Sequence, residues 1–181
     1  MAGIGLISGA LSGWLGFPST PRWLGAVGNI FFLDTSFVPV GAAFALAVAG
    51  GLALLTRRPL VLPVVALATM YAWSAATSTA TTIITTTDDG LRLVVGSLAA
   101  GAVGAAATHL GAALVLKDFR RLSPLALTTV LGAVLGLIYY AAAREFVDIW
   151  VLFLLWQPAV AFSLGKTLTG VGWVAPRLAS A

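Results

Sequence analysis

The chain contains no cysteine. Disulfides, thiolate metal sites and cysteine nucleophiles are therefore excluded, while the compartment is left open. Charge is also scarce. Only 9% of the 181 residues are Asp, Glu, Lys or Arg, against about 25% in an ordinary soluble domain. There is a single histidine, His109. One histidine cannot ligate haem on both faces, build a histidine-rich iron site or form the HExxH zinc motif. No GxSxG elbow, P-loop or dinucleotide fingerprint occurs. No acid stands in the middle of an apolar stretch, so a carboxylate proton relay is not expected. The chain does not read as an enzyme, and neither a cofactor nor a metal is expected.

Hydrocarbon is what the chain has in excess. It is 60% hydrophobic, with a mean hydropathy of +1.02. A soluble fold could not hide this much apolar surface, because even large domains leave much of their surface in water. The reading is an all-α integral membrane protein, a single polytopic domain with the lipid bilayer as its first partner. A hydrocarbon core of about 30 Å needs roughly 20 apolar residues per helix. Five stretches approach this length: 36–56, 59–77, 91–116, 124–143 and 146–164. Asp34, Thr35 and Ser36 can cap the first of them. Ser123 and Pro124 read as an N-cap and first helical residue. Arg57, Arg58 and Pro59 mark a turn.

Residues 1–17 form a sixth, shorter apolar stretch, about 25 Å long as a helix. No basic residue precedes it. Trp14 and Phe17 suit a signal-peptide cleavage site poorly. It is read as a short or tilted first helix, with a re-entrant segment as the alternative. The expectation is a compact bundle of about six transmembrane helices.

With six spans, one set of connections holds seven basic residues, Arg57, Arg58, Lys117, Arg120, Arg121, Lys166 and Arg177, against one acid, Asp118. The opposite set holds three, Arg22, Arg92 and Arg144, together with Asp34, Asp88, Asp89, Glu145 and Asp148. The positive-inside rule places both termini in the cytoplasm, in what reads as a bacterial inner membrane. The net charge of +4 then reports topology and not a nucleic-acid partner.

Small residues recur at helical spacing. Gly5, Gly9 and Gly13 form a glycine-zipper pattern, with Ser8, Ser12 and Gly16 beside it. Gly96, Ala100, Gly104 and Thr108 share one face, and Gly132 and Gly136 give another GxxxG. Within lipid, helices associate by close packing, which small residues permit. The first stripe can serve packing within the chain, a partner subunit or a homo-oligomer.

Polar residues in and near the spans supply the candidate solute contacts. Gln157 and Trp156 precede Pro158 in the last span. Pro158 lacks a backbone donor and frees the carbonyl of Leu154. These groups could form a polar pocket, closed from above by Trp23, Asn29 and Asp34. The alternative is an ordinary kink, with Gln157 bonded to a neighbouring helix. "TSTATTIITTTDDGLR", 77–92, holds seven threonines before two adjacent aspartates. Threonine hydroxyls, Thr81 and Thr85 among them, can wall a path for a neutral polar or weakly cationic solute. Asp88 and Asp89 would raise the local cation concentration. The alternative is a water-facing loop without a ligand. Tyr139, Tyr140 and Trp150 suit an interfacial aromatic belt; the alternative is a rim where these aromatics and the charges of Arg144, Glu145 and Asp148 meet a solute. His109, inside its span, is either a helix-to-helix bond or a solute or proton contact.

In size and layout the chain resembles the substrate-binding S-components of energy-coupling-factor vitamin transporters. That family has six helices, cytoplasmic termini and outer loops that close over a ligand. Its first helix carries small residues that dock a coupling subunit, a role the resemblance assigns to Gly5, Gly9 and Gly13. The family's docking residues are typically alanines, and here they are glycines. The expected function is a small membrane transport protein that binds and passes a small solute. The alternatives are a non-catalytic subunit of a larger membrane complex and, less favoured, a lipid-directed enzyme using Glu145, Asp148 and His109.

Overall fold

A computed structural model describes residues 1–15, 38–84 and 89–170. All regular structure among them is helical. The helices are α1 (Ala2–Leu15), α2 (Val38–Thr56), α3 (Val61–Ile83), α4 (Gly90–Val115), α5 (Leu122–Ala143) and α6 (Trp150–Thr169). A 3-10 turn, Lys117–Arg120, joins α4 to α5. The four helices α3 to α6 are each long and apolar enough to cross a membrane. The chain is an integral membrane protein by this criterion.

Each helix from α1 to α5 packs against the next, α5 packs against α6, and α6 returns to α1. The six helices thus close a ring. Its centre is apolar, built from Phe44, Val48, Val65, Ala105, Trp156 and Val160. The outer face is apolar too: Ile7, Leu54, Leu67, Leu114, Val130 and Leu155 are all exposed. A helix apolar on every side suits a lipid surround.

The ring has two distinct ends. Arg57, Arg58, Lys117, Arg120 and Arg121 sit at the turns of one, called here the Arg57 end. Asp89, Arg144, Glu145 and Asp148 sit at the other, the Arg144 end. Two helix ends close in the same way. Arg58 N–H donates to Ala53 O at 3.2 Å and Phe146 N–H donates to Ala141 O at 2.9 Å. Arg57 and Glu145 adopt left-handed φ of 54° and 59° to allow it. Neither residue is glycine, and this conformation costs an ordinary residue about 1–2 kcal/mol. Asp89 caps α4 by accepting from Arg92 N–H at 3.1 Å, and Asp148 caps α6 by accepting from Trp150 N–H at 3.0 Å.

Several helix limits differ from the sequence-based expectation. The helix expected to end at Thr77 continues to Ile83, so the first half of the threonine strip is helical and not loop. Thr79 and Thr82 give their hydroxyl protons to Ala75 O and Ser78 O, both at 2.7 Å. This back-bonding leaves no unmet donor to break the helix. The last helix begins at Trp150 and not at 146, and continues to Thr169. The turn after α5 consumes the residues between. α5 begins at Leu122, so Pro124 lies in its first turn, where no backbone donor is required. The helix over 1–17 is described as Ala2–Leu15. The capping group 34–36 lies outside the described residues.

Candidate functional site

The glycine patterns settle into specific close approaches. α1 runs antiparallel to α6. Its Gly5 lies against the backbone of Pro158, Gly9 against Phe153 and Gly13 against the Trp150 ring. A Cβ on Gly5 would stand 2.5 Å from Pro158 Cα, and one on Gly9 would stand 2.5 Å from Phe153 O. The stripe is thereby covered by α6 and is not an open docking face. Met1 reaches Gly165 and Gly51, so α1 follows α6 along most of its length. Gly101 of α4 meets the carbonyl of Gly132 on α5, and Gly136 of α5 meets that of Ser97 on α4. These contacts bring α4 and α5 together backbone to backbone. Gly96 accepts the Ile84 side chain, and Gly104 faces the Trp156 ring.

Gln157 belongs to this framework. Its side chain is fully buried. Ser8 Oγ donates to its Oε1 at 2.7 Å, and its Nε2 donates to Ser12 Oγ at 2.9 Å. The amide is therefore spent on α1. The helix runs unbroken through Pro158.

His109 forms a second joint, near the Arg57 end. It is fully buried. Nε2 lies 3.1 Å from Phe119 O, which can only accept, so Nε2 carries the proton. Nδ1 lies 3.2 Å from Thr128 Oγ1, which is 2.6 Å from Ser163 Oγ. Thr128 Oγ1 also lies 2.8 Å from Pro124 O, so its single proton is shared between that carbonyl and His109 Nδ1, while Ser163 can donate to Thr128 and His109 donates to the Phe119 carbonyl. This chain ties α6, α5, α4 and the 3-10 turn together. A buried hydrogen-bonded network of this kind rigidifies its surroundings.

One site with room for another molecule lies elsewhere, toward the Arg144 end. A cavity of about 120 Å³ opens between α3, α4, α5 and α6. α3 contributes Trp73, Ala76, Thr77, Ala80 and Thr81, which recur at helical spacing on one face. α4 adds Ser97, Ala100 and Gly101, and α5 adds Gly136 and Tyr139. α6 supplies Leu152, Phe153 and Trp156. Trp156 lies six residues into α6, about 9 Å along its axis.

The local sequence shapes this space. Alanine and glycine on α3, α4 and α5 leave volume that larger side chains would fill. Trp156 is fixed on three sides: Nε1 donates to Gly132 O at 3.2 Å, the ring edge meets Gly104, and Phe44 stacks edge-on at 5.4 Å. Trp73 and Phe153 face each other at 6.2 Å. The serine and threonine hydroxyls of the wall bond back to their own helices, and the Tyr139 phenol is the remaining hydroxyl among the lining residues. Ser97 donates to Leu93 O at 2.7 Å, Thr77 to Ser74 O at 2.9 Å and Thr81 to Ser78 O at 3.1 Å. No lining residue is charged.

Of the solute contacts expected from sequence, Trp156 and Thr81 line the cavity. Gln157 and His109 do not, because each is enclosed in a joint between helices. The expected polar pocket at Gln157 is replaced by an aromatic cavity on another face of α6. Trp23, Asn29, Asp34, Thr85 and Asp88 lie outside the described residues. Sequence reasoning missed Trp73 and Phe153 as wall residues, and offered Tyr139 only as part of an interfacial belt or of a rim meeting a solute. The spacing 73, 76, 77, 80 and 81 was the available signal for α3. Tyr139 and Phe153 join it only because α5 and α6 are brought there by the ring. A second and larger groove, of about 330 Å³ between α1 and α2, is lined by apolar side chains and by Ser8, whose hydroxyl is already committed to Gln157, and it has no aromatic wall. Among the described residues, no cluster of His, Asp or Glu could hold a metal ion.

No protein-family model matches the chain, and no curated protein or solved structure matches it.

Proposed function

We propose that this chain is a small membrane transport protein that binds and passes a small solute through the cavity beneath its Arg144 end. All six helices span the bilayer in this reading, with both termini in the cytoplasm of a bacterial cell. The observation that carries it is an uncommitted, aromatic-walled space in a bundle whose other buried polar groups are largely matched within the protein. Apolar space with a few placed polar groups is the usual form of a small-molecule site. Apolar cavities of about 150 Å³ hold a benzene-sized molecule, so the solute is compact. The course of α1 along α6 supports the sixth span. The basic turns at the Arg57 end support the orientation. The layout resembles that of transporter S-components, and this likeness is architectural alone.

Native mass spectrometry of protein extracted gently from its own membrane tests the reading. Wild type should carry a small bound mass that is lost in Ala80→Phe, which fills the cavity from α3. Equal adducts on both folded proteins, or none on either, would remove the cavity from the function.

A further inference from the structure

The wall of the cavity is specific enough to name the chemistry of its occupant. This step rests on the solute-binding reading above. Four aromatic side chains, Trp73, Tyr139, Phe153 and Trp156, come from three different helices and converge on one space. Their faces present negative potential, which attracts a cation. Ser97, Thr77 and Thr81 have each given their proton to a helix carbonyl. What their oxygens retain is the capacity to accept. A guest bonded to these hydroxyls must therefore be a donor. Trp73 Nε1 is a buried donor without a partner. The Cδ1 and Cγ of this ring lie against Gly41 of α2.

Charge points the same way. An anion would need a buried Lys, Arg or cluster of free N–H groups, and the lining has no charged residue. A small, strongly hydrated metal cation would need oxygen ligands in number and would not exchange its water for indole faces. An organic ammonium spreads its charge over a hydrocarbon body and loses less on leaving water. The lining residues lie in the half of the bundle nearest Asp89, Arg92, Arg144, Glu145 and Asp148. Asp89 is paired with Arg92 at 3.1 Å, and the net charge of these five groups is negative, which disfavours an anion more than a cation.

We infer that the cavity among Trp73, Tyr139, Phe153 and Trp156 binds a compact organic amine in its ammonium form, with its body against the rings and its N–H groups on Ser97 and the α3 threonines. The atoms of such a guest number few enough for the space, since about 120 Å³ is available.

Three probes share one body and differ in charge: tert-butylammonium, tert-butanol and pivalate. Each is titrated against the full-length protein in detergent, with the thermal unfolding midpoint as the readout. Selective binding to the folded state raises the midpoint with concentration. The expected order is tert-butylammonium above tert-butanol, with no effect of pivalate. Ser97→Ala should weaken the ammonium effect roughly tenfold, as for loss of one bond to a charged group, and weaken that of tert-butanol, a neutral donor, severalfold less. If tert-butanol or pivalate equals or exceeds the ammonium, the cation assignment falls while solute binding stands. The same holds if no probe acts but native mass spectrometry finds a neutral or acidic adduct that Ala80→Phe removes. If no probe acts and no adduct is found, both readings fall together.

Discussion

Alanine substitution along α1 separates two uses of glycine within a single helix. Nothing lies within 4 Å of a Cβ built on Gly3, whereas one on Gly9 would stand 2.5 Å from Phe153 O and 3.0 Å from its carbonyl carbon. Carbon–oxygen contacts ordinarily begin near 3.3 Å, so α1 and α6 must part by roughly 0.8 Å to admit it. Backbone cannot rotate aside as a side chain can. Overpacking of this kind costs about 1–3 kcal/mol. Alanine recovers about 1 kcal/mol of helix propensity. Loosening the Ser8–Gln157–Ser12 bonds removes about 0.6 kcal/mol for each. The net expectation for Gly9→Ala, and equally for Gly5→Ala, is a loss of about 1–3 kcal/mol. Gly3→Ala should gain up to about 1 kcal/mol. At roughly 2–4 °C per kcal/mol for a chain of this size, the two classes separate by several degrees. The assay is the fraction remaining monodisperse by size-exclusion chromatography after stepped heating in detergent. If Gly5→Ala and Gly9→Ala behave as Gly3→Ala does, α1 does not seat on α6 through its backbone, and the packing described above is wrong.

Other outcomes follow from the same contacts. Gln157→Leu should cost about 1–2 kcal/mol, since two interhelical bonds are lost while Ser8 and Ser12 keep Gly5 O and Val40 O as acceptors; normal uptake at matched protein level checks that the amide is structural. His109→Leu strands the Phe119 carbonyl and should lower stability by about 1–3 kcal/mol, measured by the same heating assay. If His109→Leu instead abolished solute binding at unchanged stability, the assignment as a joint would be overturned. Topology is open to direct labelling because the chain has no cysteine. Arg58→Cys and Glu145→Cys should react with an impermeant maleimide from opposite sides of intact cells, Glu145→Cys from outside. Labelling of both from one side would refute the proposed arrangement of spans.

The extent to which the sequence foretold this site can be followed through three residues. Gln157 was legible as a polar group inside a span, and one reading of it was a bond to a neighbouring helix. Its partners were not legible, because Ser8 and Ser12 lie some 145 and more positions away along the chain. His109 stood out for the same reason, and its partners likewise come from other elements. Trp73 did not stand out, since a tryptophan in an apolar helix is ordinary. It becomes notable only when Phe153, Tyr139 and Trp156 arrive opposite it.

Hydropathy and the spacing of small residues by themselves determined an all-helical membrane chain, the approximate positions of its helices and the residues able to approach closely. These are properties of single helices, set by burial in lipid and by a 3.6-residue repeat. Which helix each small face meets was decided by the tertiary structure. A GxxxG face is equally suited to α6, to a partner or to a second copy, and only the closing of the ring chose α6. That closure also decided which polar groups are spent on joints and which space is left over. A cavity is what packing fails to fill, and no local property of the sequence records it.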